Sequence, residues 1–142
     1  MIRGLEHVGL SVANLERSIR FYCENFGFMV ERILECGEDV PLGDVVGMPG
    51  CTARIAHLKS EKSMLELFEY TKPRGKYIPE NTRQADLGYI HIGFTTTDLK
   101  ADYARLKEGG VRFFNDPVEF RPGVWVVYFY GPDGEVCELR QT

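Results

Sequence analysis

Two histidines and two glutamates stand at matching places in the two halves of this chain. His7 lies in Leu5-Glu6-His7-Val8-Gly9-Leu10-Ser11-Val12-Ala13, and His91 in Tyr89-Ile90-His91-Ile92-Gly93-Phe94-Thr95-Thr96-Thr97. In each run the His stands two residues before a Gly, inside an apolar, alternating pattern. The halves also end alike, in Met64-Leu65-Glu66-Leu67 and Val136-Cys137-Glu138-Leu139. One His near the start and one Glu near the end of each half imply a metal site shared between the halves. Neutral imidazole and carboxylate are the nitrogen–oxygen ligand set that suits Zn, Ni, Co, Mn or Fe(II).

The strand period sharpens this expectation. Residues i and i+2 of a strand share a face, so His7, Gly9 and Ser11 point one way, as do His91, Gly93 and Thr95. A glycine beside each His leaves open space next to a metal, which a substrate would need. Glu138 sits among Val136, Cys137 and Leu139; an ionised carboxylate buried there without a partner costs several kcal/mol. It must therefore face solvent or be ligated. Glu69, three residues after Glu66, is the alternative ligand in the first half and faces oppositely; Glu66-Leu67 is the better match to Glu138-Leu139. His57 has no counterpart in the second half and reads as structural. Lys72, Arg74 and Lys76 read as a solvated linker face.

Matching elements must carry these residues. Seven residues after His7 comes Asn14, and seven after His91 comes Asp98; both are good helix N-caps. Leu15, Ile19, Tyr22 and Phe26 then form one helical face, and Leu99, Tyr103 and Leu106 repeat the first three offsets from the cap. The spacing predicts helices over about 14–26 and 98–109, stopped by Gly27 and by Gly109-Gly110. Strands are expected over His7–Val12, Phe28–Leu34, Thr52–Leu58 and Met64–Tyr70, then over Gly88–Thr95, Val111–Phe114, Trp125–Tyr130 and Val136–Arg140. Gly37–Gly50 reads as a long loop. Gly131-Pro132-Asp133-Gly134 reads as a tight turn. The chain is thus expected as a single α+β domain over 1–142, with module one at about 4–70, a linker at 71–86 and module two at about 87–142. Each module reads β-α-β-β-β, and pairing them would make one curved, mixed sheet with helices outside.

Composition bounds the function classes. The chain has 142 residues, 44% hydrophobic and 27% charged, enough to bury a real core and unlike a disordered chain. A net charge of −4 gives no general attraction to nucleic acid or anionic membrane. No apolar stretch approaches the ~20 residues of a membrane helix, and Met1-Ile2-Arg3-Gly4 does not open a signal peptide. Cys23, Cys36, Cys51 and Cys137 stand apart and read as reduced thiols of a cytoplasmic protein.

Several runs together resemble the vicinal oxygen chelate superfamily, the glyoxalase, bleomycin-resistance and extradiol-dioxygenase group. They are His-Val-Gly-Leu-Ser-Val followed by Phe21-Tyr22, the Leu-Glu-Leu at 65–67, Tyr-Ile-His-Ile-Gly-Phe at 89–94, and Gly-Pro-Asp-Gly-Glu-Val-Cys-Glu-Leu at 131–139. The resemblance covers essentially the whole chain. It implies His7, Glu66, His91 and Glu138 as ligands of one divalent metal lining a cup-shaped sheet, a homodimer, and a small-molecule substrate with vicinal oxygens. Two ionised Glu and a dication sum to zero charge, and the cation still polarises two oxygens as a Lewis acid. It would stabilise an enediolate formed by removing a proton next to a carbonyl, with Glu66 or Glu138 as the base. The reading is therefore a metal-dependent lyase or isomerase. Glyoxalase I enzymes typically carry Arg and Asn where this chain has Ser11 and Tyr70, which speaks against a glutathione adduct. The alternative is an activity like methylmalonyl-CoA epimerase, whose second carboxylate base would fall near Glu35 and Glu38. Further alternatives are a ring-cleaving dioxygenase and a non-catalytic antibiotic-binding protein. A fourth protein ligand counts against both. Phe68, Tyr70, Trp125 and Tyr128 supply enough aromatic surface for a mostly apolar pocket, and the period alone does not decide which faces they occupy.

Overall fold

The computed structural model describes residues 1–142 throughout. It divides into two compact units, Met1–Lys76 and Tyr77–Thr142. The first runs β1 (Val8–Ser11), α1 (Leu15–Phe26), β2 (Met29–Cys36), a short α2 (Leu42–Val46), β3 (Thr52–Lys59) and β4 (Met64–Lys72). The second runs β5 (Ile92–Thr95), α3 (Leu99–Glu108), β6 (Val118–Arg121), β7 (Val124–Tyr130) and β8 (Val136–Gln141). Both modules are β-α-β-β-β, and the fold is α+β. The strands hydrogen-bond into two four-stranded mixed sheets, ordered β1-β4-β3-β2 and β5-β8-β7-β6. In each, the first strand runs parallel to the last and the other neighbours are antiparallel.

The helices begin where side chains can satisfy their free N–H groups. Asn14 Oδ1 accepts from the Arg17 amide at 2.8 Å, and Asp98 Oδ1 from the Ala101 amide at 3.0 Å. A residue of the last strand supplies a second acceptor in each unit. The Leu15 amide donates to Glu69 at 3.0 Å, and the Leu99 amide to Gln141 at 2.8 Å. Gly27 closes α1 at φ 69°, a left-handed conformation that costs glycine little.

The core of each unit lies between helix and sheet. Leu15 and Tyr22 of α1 are buried with Leu65 and Leu67 of β4 and Ala56 and Leu58 of β3. Leu99 and Leu106 of α3 are buried with Val127, Phe129, Cys137 and Leu139. Strand alternation then sends Glu66 and Glu138 to the opposite faces of their sheets.

Three elements differ from the sequence reading. The first strand of each unit begins one residue after its histidine, at Val8 and Ile92. Residues 111–114 make a single bridge, Phe113 to Phe129, and the fourth strand of the second sheet is β6 instead. All four β6 residues are exposed, so no inward alternation marks that strand in the sequence. The 37–50 loop contains α2, five residues long and ended by Gly47 at φ 69°, too short to show a helical period. The four cysteines are free thiols. No helix is long and apolar enough to cross a membrane.

Candidate metal centre

The repeat seen in the sequence is kept in register by the sheets. Gly9 pairs with Glu66 across β1 and β4, and Gly93 pairs with Glu138 across β5 and β8. Each histidine stands two residues before its glycine and so meets the glutamate of the last strand. His7 Nε2 lies 3.2 Å from Glu66 Oε2, and His91 Nε2 lies 3.2 Å from Glu138 Oε2. The glycine keeps space beside the carboxylate in the second unit: a Cβ on Gly93 would come into contact with Glu138 Oε2, at 3.4 Å. Within neither unit does a third His, Cys, Asp or Glu complete a group with metal-binding spacing. The structure thus brings His7 to Glu66 and His91 to Glu138, as two pairs.

The hydrogen bonds at the far side of each ring decide what the near side can do. His91 Nδ1 is 3.4 Å from Gln84 Oε1, and the amide nitrogen of Gln84 donates to the Ile90 carbonyl at 3.1 Å. That second bond fixes the Gln84 amide with its oxygen toward the ring, so Nδ1 carries the proton. In that tautomer Nε2 turns a lone pair toward a carboxylate oxygen. A proton or a metal ion can join two such acceptors 3.2 Å apart. His7 repeats the pattern, with Nδ1 3.3 Å from the Glu6 carboxylate, which can only accept. Ligands about 2.0–2.2 Å from one ion are about 2.8–3.6 Å apart in an octahedral or tetrahedral shell. The separation of 3.2 Å in both pairs fits that edge. In each pair the donor types and their spacing fit two ligands of a divalent metal.

Glu69 lies on the other face. It caps α1 through Leu15, stands 3.7 Å from Arg54 Nη1, and corresponds to Gln141, which caps α3. Its work is at the helix end, and a neutral amide does the same in the second unit.

His57 is the residue that sequence reasoning undervalued. It pairs in register with Glu66, and its Nε2 lies 3.3 Å from Glu66 Oε1, so both oxygens of that carboxylate face imidazoles. Its register counterpart in the second unit is Tyr128, opposite Glu138, which is why no matching His appears in the sequence. The Tyr128 ring lies 5.1 Å from that of His91. Burial and the nearby Glu138 carboxylate raise the Tyr128 hydroxyl above its ordinary pKa.

The aromatic surface is partly as expected. Phe68 and Tyr70 share the Glu66 face and stack at 5.9 Å. Burial holds the Tyr70 phenol above its usual range, with Cys51 and Cys36 adding to it. Trp125, whose face the sequence left open, faces α3, where Lys100 Nζ lies 4.5 Å above its ring. One position along a strand reverses the face, and the run Val124–Tyr130 is too uniformly apolar to reveal which residues point where.

A probable lactoylglutathione lyase from Synechocystis is 27% identical over 140 residues, covering 97% of this chain and 95% of that protein. The crystal structure of a glyoxalase family protein from Bacillus cereus matches with a TM-score of 0.89 at 22% identity, over 99% of this chain and 94% of the other. The trypanothione-dependent glyoxalase I of Leishmania major matches with a TM-score of 0.67 at 25% identity, over 97% and 86%. The sequence model of one superfamily matches residues 4–139, the span that holds both His–Glu pairs, and the chain belongs to that Glyoxalase/Bleomycin resistance protein/Dioxygenase superfamily.

Proposed function

We propose that this chain is a metal-dependent lyase or isomerase that moves a proton at a carbon next to a carbonyl, on a small molecule with two vicinal oxygens. The observation that carries this reading is the approach of an imidazole Nε2 to a carboxylate oxygen in both units, at 3.2 Å. His7, Glu66, His91 and Glu138 would together hold one divalent cation. Superfamily members typically use such a metal and are commonly enzymes. When bound, the cation supplies Lewis-acid polarisation of the substrate's oxygens. Ni, Co, Zn, Mn and Fe all suit mixed nitrogen–oxygen ligation.

The residues divide the work. Gln84 and Glu6 orient the two rings through Nδ1. Glu66, with an imidazole at each oxygen, is anchored. Glu138 has an imidazole at one oxygen and is the carboxylate with freedom to take a proton. Phe68 and Tyr70 offer apolar surface beside Glu66. Homodimers are frequent in the superfamily, and this reading includes one.

Two observations favour this chemistry over the epimerase alternative. Glu35 accepts from Arg54 at 2.9 Å, and Arg54 also pairs with Glu16 of α1, which places Glu35 on the helix side of the sheet. Glu38 is held by Lys72. Glu35 is therefore not the second base that an epimerase would need on the Glu66 face, and the Lys72 hydrogen bond holds the Glu38 carboxyl below its usual range, which weakens it as a base. Ser11 and Tyr70 give no charged or amide contact for a glutathione arm, and Tyr70 is packed with Phe68 against Cys36, Ala53 and Ile55.

The test is solvent deuterium incorporation, followed by NMR, for the metal-loaded protein with α-keto thiohemiacetals, acyl-CoA epimers and catechols. Exchange at a carbon next to a carbonyl is expected, without O₂ uptake, and weakest with the glutathione–methylglyoxal adduct. Consumption of O₂ with no exchange at that carbon would replace this reading with a dioxygenase.

A further inference from the structure

His57 is 7% exposed, and its two nitrogens face different groups. Arg32 Nε, on β2, donates to His57 Nδ1 at 3.2 Å. A guanidinium has no acceptor, so Nδ1 must accept. The ring's proton therefore sits on Nε2, the atom 3.3 Å from Glu66 Oε1. This is the opposite tautomer from His7 and His91, whose Nδ1 atoms face acceptors and whose Nε2 atoms are free to ligate. His57 thus presents an N–H, not a lone pair, to the carboxylate that meets His7.

We infer that His57, set by Arg32, is a positioning residue that holds Glu66 Oε1 so that Oε2 is presented to the metal beside His7. This rests on the metal reading above. It assigns the relay Arg32–His57–Glu66 to one half of the centre only, since the register position opposite Glu138 is Tyr128. Carboxylates that ligate metals are commonly oriented by such donors, and losing the donor typically weakens metal binding about 10–100-fold.

The experiment measures Zn²⁺ affinity by chelator competition for the wild type, His57→Phe, His57→Gln and Arg32→Met. Each protein's thermal unfolding without metal is recorded alongside. His57→Phe keeps the ring's bulk and removes the N–H; about 10–100-fold weaker Zn²⁺ binding is expected. His57→Gln can return an N–H near the same place and should recover most of that loss. Arg32→Met changes an exposed edge-strand residue, leaves the core intact, and should weaken Zn²⁺ measurably. It carries the test if His57→Phe does not fold. In the metal-free wild type, long-range ¹H–¹⁵N spectra should show His57 protonated at Nε2, a signature that Arg32→Met should erode. Equal affinity in wild type, His57→Phe and Arg32→Met would overturn this inference alone. A His57→Gln variant as weak as His57→Phe would also overturn it, because the loss would then not follow the N–H. A wild type that binds no Zn²⁺ would overturn the metal reading, and this inference with it.

Discussion

Replacing Glu138 with Gln is expected to leave much of the metal bound and to lower proton exchange by about 10²–10⁴-fold, the usual worth of a positioned general base. The amide oxygen of Gln can still face His91 Nε2 across a cation, as Glu138 Oε2 does at 3.2 Å. It cannot take a proton. Glu66→Gln is expected to act differently. Glu66 receives His57 at one oxygen and His7 at the other, so an amide there must turn either its oxygen or its nitrogen toward the wrong partner, and metal affinity should fall first. The measurement is kcat for solvent exchange beside metal content for each variant. Exchange in Glu138→Gln within tenfold of wild type would remove Glu138 from the base's role.

Phe129→Ala is expected to destabilise the chain by about 3–5 kcal/mol, against a total stability that for most domains is only about 5–15 kcal/mol. Phe129 has 0% of its surface exposed. It lies on the helix side of β7, opposite Cys137 in register, with the Phe113 ring at 5.6 Å. Removing the ring leaves a cavity in the core that holds β8, and with it Glu138, in place. Tyr128→Ala, one residue away and half-buried on the other face, should cost clearly less. Urea unfolding of the three proteins gives the comparison. A Phe129→Ala cost no larger than that of Tyr128→Ala would contradict the assignment of faces.

The sequence carried the parts of this fold that repeat. Both helices start at the capping residues the spacing marked, because a cap acts locally and leaves a local signature in Asn14 and Asp98. The matching of Glu66 with Glu138 was legible because β1 and β5 are short, parallel to the last strands and in the same register. Glu69 was harder to separate from Glu66 by pattern alone; its partner is the first amide of α1, a contact across 54 residues of chain. His57 was passed over for a related reason. Its worth depends on Arg32 and Glu66, one on each neighbouring strand, and on a counterpart, Tyr128, that is not a histidine. The face of Trp125, which turns toward α3, was not legible, because β7 is apolar on both faces and the period of two leaves no contrast. The β6 strand was missed because an exposed edge need not alternate.

Metal content tests the central claim most directly. Protein purified without chelator and analysed for elements is expected to carry about one equivalent of a divalent metal per chain. The double variant His91→Ala, Glu138→Ala should carry none, while Glu69→Gln, altered only at the end of α1, should match the wild type. Equal metal content in the wild type and the His91→Ala, Glu138→Ala variant would contradict the account.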